Sequence, residues 1–68
     1  MKAWSVCEVE TFYNARDAAG IAAVFAQNAV DGADLFAFDE SQTLVSELRM
    51  SPFAAKKALR LRDVFLGA

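Results

Sequence analysis

Residues 51–67 read Ser51-Pro52-Phe53-Ala54-Ala55-Lys56-Lys57-Ala58-Leu59-Arg60-Leu61-Arg62-Asp63-Val64-Phe65-Leu66-Gly67, and this stretch decides the fold class. Ser51 can accept from the amides of a first helical turn. Pro52 needs no N–H there, and its fixed φ suits a helix; Gly67 can close the far end in a left-handed turn. The segment is the longest helix the chain offers. Ala54, Ala58, Leu61 and Phe65 follow the i, i+4, i+7, i+11 rhythm expected of a buried face, which leaves Lys56, Lys57, Arg60 and Arg62 to point elsewhere. Phe53 falls in the first turn beside these cations, at the end where backbone donors are free, and that placement predicts a docking end.

Working outward, Asp39 and Gln42 have the spacing of a capping box ahead of Leu44, Val45 and Leu48, so a helix is expected there. Asp31-Gly32 is a weak hairpin signal because its flanks are helical in character. Asp31 is expected instead to cap a short helix carrying Leu35 and Phe36 inward. Asp17 precedes the Ala-rich run 18–28, a helix weakened by Gly20, with Ile21, Val24, Phe25 and Asn28 on one side. Ser5 and Glu8 form the Ser-x-x-Glu start of a first helix whose apolar face is Val6, Val9, Phe12 and Tyr13. Trp4 is placed to fold back over its first turn. Five helices without a long linker or repeat predict one compact all-α domain over residues 1–68, a five-helix bundle ending in its longest helix.

Size and composition limit what such a bundle does. A single core in a chain of 68 residues rarely supplies more than about 3–5 kcal/mol, so a partner would help it. Hydrophobic residues make up 56% of the chain, above the roughly 45–50% typical of globular domains, and the excess hints at an interface. Cys7 is the only cysteine. It is read as a small, partly buried thiol, and the absence of any possible internal disulfide fits an intracellular setting. With no histidine, one cysteine and one tyrosine, candidates for acid–base or nucleophilic chemistry are few, which argues against an enzyme. No cofactor motif or metal-ligand cluster is apparent. No apolar run reaches the roughly 18–20 residues that span a bilayer.

The ordered residues resemble the sterile alpha motif, or SAM, domain family. Its opening Trp, Ser or Thr cap, Glu-Val and later aromatic pair read here as Trp4, Ser5, Glu8, Val9 and Phe12-Tyr13. The marks that follow read as Ile21, Phe25, Val30-Asp31-Gly32 and Leu35-Phe36-Ala37-Phe38. The closing mark matches loosely, as Arg49-Met50, Ala54, Lys56 and Leu59. Asp17 and Ala18 stand where the family prefers Gly-Leu, the stretch from Phe38 to Met50 is longer than usual, and Ala54 replaces a glycine. The resemblance covers nearly the whole chain and implies a protein–protein interaction module.

Charge adds direction to that expectation. From Asp17 to Leu48 the chain holds six acidic residues and no Lys or Arg; from Arg49 to Arg62 it holds five basic residues and no Asp or Glu. The resemblance implies head-to-tail self-association, in which a mid-loop surface on one molecule meets the start of the last helix on the next. The mid-loop side is expected at Asp31, Asp34, Asp39 and Glu40, with Ala33 and Phe36 as its apolar part. The end-helix side is expected at Met50, Phe53, Lys56, Lys57 and Arg60, with Phe53 as the anchor. The alternative is a heterotypic partner that is another SAM domain. An RNA-hairpin reader or a membrane-surface module would rely on the same few cations, and an isoelectric point near 4.8 together with the acidic middle argues against a polyanionic partner.

Overall fold

Ser5 starts the first helix as its spacing predicts: the Ser5 Oγ accepts from the Glu8 amide at 3.2 Å, and the Ser5 amide donates to the Glu8 carboxylate at 3.0 Å. Two otherwise orphaned donors are satisfied reciprocally. The computed structural model describes residues 1–67. In them the chain is all-α, with α1 (Val6–Asn14), α2 (Ala19–Gln27), α3 (Gly32–Ala37), α4 (Ser41–Leu48) and α5 (Pro52–Leu66), and no strand among the described residues. The helices group into two compact units, Met1–Ala37 and a second beginning at Phe38.

The first unit is built on aromatic rings. Val9, Phe12 and Tyr13 are buried on one face of α1, and Ile21, Ala22 and Phe25 on α2. Trp4, Phe12, Tyr13 and Phe25 run ring to ring, with centroids 5.2, 4.9 and 5.2 Å apart, within the range at which tilted and edge-on pairs attract. Trp4 thus folds back as expected. Arg16 lies over the Phe12 ring at 3.7 Å and donates to the Phe12 carbonyl, occupying an acceptor at the end of α1. Cys7 points away from this face and is exposed, which corrects the expectation of a partly buried thiol.

Two details of α2 and α3 differ from the sequence reading. Asn28 does not join the buried face of α2; it is exposed, and its amide donates back to the Val24 carbonyl. Phe36 is 43% exposed, whereas Leu35 is fully buried. Adjacent helical positions differ by about 100° of rotation, so Leu35 and Phe36 cannot share one inward direction on so short a helix. Gly32 has its own explanation. Its amide donates to the Trp4 carbonyl at 2.8 Å, and a Cβ there would press into the Met1 carbonyl and into Trp4. The Asp-Gly pair therefore serves a close crossing of two backbone segments rather than a hairpin turn.

In the second unit, α4 begins after Glu40, which makes no side-chain cap, so the proposed Asp39–Gln42 box is not formed. Its far end turns through Arg49 at φ 57°, and the Met50 amide reaches back to the Leu44 carbonyl at 3.3 Å. The Arg49 amide donates to the same carbonyl, and the left-handed turn folds the residue after it back onto the helix. α5 is delimited as predicted, with the Ser51 Oγ accepting from the Ala54 amide at 3.2 Å, Pro52 first in the helix, and Gly67 left-handed at φ 78°.

The phase of α5 departs from expectation. Ala55, Ala58 and Leu59 are its buried residues, Ala54 and Leu61 are only half-buried, and Phe65 is 46% exposed. Arg62 turns inward with them. Its guanidinium binds Asp63 at 2.9 Å and donates to the Phe38 carbonyl. A long aliphatic stem lets arginine lie along apolar surface while its head keeps polar partners.

Candidate functional site

Rotation of α5 toward Ala55, Ala58 and Leu59 determines what its other side shows. Phe53, Lys57, Arg60 and Val64 follow one another at i, i+4, i+7 and i+11, so they share a face. Phe53 is 78% exposed and Val64 68%. Lys56 and Arg60 are exposed and Lys57 is half-buried. Phe53, Lys56, Lys57 and Arg60 together line an open concavity of about 380 Å³. Four of the five residues expected at the basic end therefore adjoin one another on a single surface.

The fifth does not. Met50 is buried, because the left-handed turn at Arg49 folds it back against the end of α4, and this removes it from the surface set. Arg62 is likewise no part of the exposed basic surface, being held by Asp63 and Phe38. The basic surface is thus narrower than the sequence implied and carries more apolar area, because Val64 belongs to its face.

On the acidic side, Asp31 and Asp34 cap α3 reciprocally. The Asp34 amide donates to Asp31 Oδ1 at 2.9 Å, and the Asp31 amide lies 3.5 Å from Asp34 Oδ2. One oxygen of each carboxylate thus has a local role at the start of the helix, where negative charge is stabilising. Ala33, Phe36 and Ala37 stand at i, i+3 and i+4 and are all exposed, an apolar stripe beside these carboxylates. Lys2 places its ammonium 4.5 Å from the centre of the Phe36 ring, a cation on the acidic side that sequence reasoning missed. In the second unit, Asp39 and Glu40 are exposed ahead of α4.

Val64 carried a signal in the sequence, since it repeats the spacing of Phe53, Lys57 and Arg60. Lys2 carried none, because nothing local places an N-terminal residue against α3. Among the described residues no group of three or more His, Cys, Asp or Glu is arranged to hold a metal ion, and no helix is long and apolar enough to cross a membrane. What the two surfaces offer is apolar contact with charge around it, one basic and one acidic. No protein-family model, no curated protein and no solved structure matches the chain, so a functional reading stands on this geometry and on the residues themselves.

Proposed function

We propose that the chain is a SAM-like protein interaction module that associates head to tail with copies of itself, the α3 side of one copy meeting the α5 face of the next. The observation that carries this reading is Phe53: a large aromatic 78% exposed, set among Lys56, Lys57 and Arg60 around a concavity. Burying such a side chain is worth roughly 1.5–3 kcal/mol, whereas an exposed ion pair contributes about 0–1 kcal/mol and weakens with salt. Phe53 is accordingly the anchor, and the cations steer and orient the encounter. The complementary side, on α3, supplies Phe36 and Ala33 for apolar contact, with Asp31 and Asp34 for charge. Two different patches on one molecule make a heterologous contact, which propagates into a filament unless its rotation closes a ring.

A second reading has one observation in its favour. Lys2 sits on Phe36 and dilutes the negative charge of the α3 side, which favours a different, more acidic SAM domain as the partner of the α5 face. Sedimentation velocity over a range of concentrations at low and high salt, beside a Phe53→Glu/Lys56→Glu double variant, separates the two. Large species that grow with concentration, shrink in salt and vanish in the variant support self-association. A wild-type chain that stays monomeric throughout supports the heterotypic reading.

A further inference from the structure

Two phenylalanines of the first unit carry a cation on the ring, and the two pairs differ in kind. Arg16 lies 3.7 Å from the centre of the Phe12 ring and is tied down by its bond to the Phe12 carbonyl. Lys2 stands 4.5 Å from the centre of the Phe36 ring, and both of these residues are exposed. Among the described residues no carbonyl or carboxylate holds the Lys2 ammonium in place. The Phe36 ring is thus a seat for a cation, and a loosely filled one. Asp31 and Asp34 at the start of the same helix add negative charge to its surroundings.

The face of α5 holds a matching cation. Arg60 is exposed, and among the described residues its guanidinium makes no ion pair or hydrogen bond, Asp63 being engaged by Arg62 instead. Helical side chains lean toward the helix N-terminus. That carries Arg60 toward Phe53, and the two line one open concavity with Lys56 and Lys57. An aromatic ring that enters the concavity meets an apolar ring and a guanidinium together.

We infer that the Phe36 ring of one copy enters the α5 concavity of the next, where Arg60 of the second copy takes the place of Lys2 over the ring. This rests on the head-to-tail reading and deepens it by naming the pair of side chains that recognise each other. The exchange is favoured by chemistry. A guanidinium is planar, more weakly hydrated than an ammonium, and stacks on aromatic faces; attraction between a cation and a ring strengthens when the pair is shielded from water. Lys2 loses little on release, because an exposed ammonium returns to full hydration. It is an internal competitor that holds the seat until a second copy arrives. The contact reads more than charge, since a partner with carboxylates and no ring at this position forfeits the stacking.

The test is a double-mutant cycle on the full chain by sedimentation equilibrium: wild type, Arg60→Gln, Phe36→Leu and the variant carrying both, with helix content checked by circular dichroism. Phe36→Leu keeps apolar bulk and removes the π face, and Phe53 is retained in every form. Arg60→Gln is expected to raise the dissociation constant about tenfold more in the otherwise wild-type chain than in the chain already carrying Phe36→Leu, a coupling of the size a desolvated cation–π pair supplies. If Arg60→Gln weakens association by the same factor in both backgrounds, the guanidinium acts by charge alone and the inference is overturned, with the head-to-tail reading intact. A monomeric wild type overturns both. Should Phe36→Leu lose helix content or associate too weakly to measure, Phe36→Met replaces it, and the same comparison of factors decides.

Discussion

The two units put phenylalanine to opposite uses. In Met1–Ala37, Phe12 and Phe25 are buried in a continuous series of rings with Trp4 and Tyr13, and only Phe36 reaches the surface. Among the described residues from Phe38 onward the buried ones are Leu44, Met50, Ala55, Ala58 and Leu59, while Phe53 and Phe65 are exposed. Chain-wide composition cannot account for this, because the same residue type occurs in both halves. The difference separates aromatic area that holds a fold together from aromatic area that remains available to a partner. It also separates substitutions that should cost stability from those that should cost association.

The sharpest way to break the comparison is to shorten one phenylalanine from each unit. Phe25→Ala removes a fully buried ring and should cost about 3–5 kcal/mol, comparable to everything a core of this size supplies. Its far-ultraviolet circular dichroism should show an unfolded chain at 25 °C. Phe53→Ala should leave the thermal midpoint within experimental scatter and abolish concentration-dependent sedimentation. Equal loss of stability in the two variants would contradict the division of roles.

Gly32→Ala is next in size. Its added methyl meets the Met1 carbonyl and Trp4, and overpacking of this kind costs about 1–3 kcal/mol, measured as a fall in urea midpoint with unchanged slope. Ser51→Ala tests the second unit instead: loss of the cap on α5 should cost about 1 kcal/mol. Because the cap also orients the first turn that carries Phe53, this variant should weaken self-association as well as lower the melting temperature.

Much of this architecture was legible in the sequence, for reasons that differ by element. Ser5-x-x-Glu8 and Ser51-Pro52 located helix starts because a cap is a local contract between residues three apart, and both caps form. Asp31 was legible for the same reason. Asp39–Gln42 had the right spacing but no cap, and Glu40 stands at the boundary instead. The phase of α5 was less legible. Apolar residues occur all around that helix, and the face turned inward depends on an acceptor 24 residues away, the Phe38 carbonyl that receives Arg62. The same limit hid Lys2, whose position over Phe36 follows from the backbone crossing at Gly32. Of the candidate surface, the basic residues around Phe53 were readable as a helical stripe. Burial of Met50 was not, because it needs the left-handed turn at Arg49.

The smallest effect refines the acidic side. Lys2→Ala removes a cation–π contact worth about 0.5–1 kcal/mol at an exposed site, so its stability loss should be near the limit of detection in a urea titration. Its effect on association should have the opposite sign: with a cation removed from the α3 side, the variant's self-association at low salt should be slightly tighter than wild type, and high salt should erase the gain.

The most direct test of the central claim mixes two disabled chains. Phe36→Lys spoils the α3 side and leaves the α5 face whole; Phe53→Glu spoils the α5 face and leaves the α3 side whole. Each alone should sediment as a monomer, and an equimolar mixture should form a single one-to-one complex that grows no further, because its two remaining surfaces are both disabled. Two monomers that stay apart on mixing, or a Phe53→Glu chain that still self-associates, would contradict a head-to-tail contact through these two surfaces.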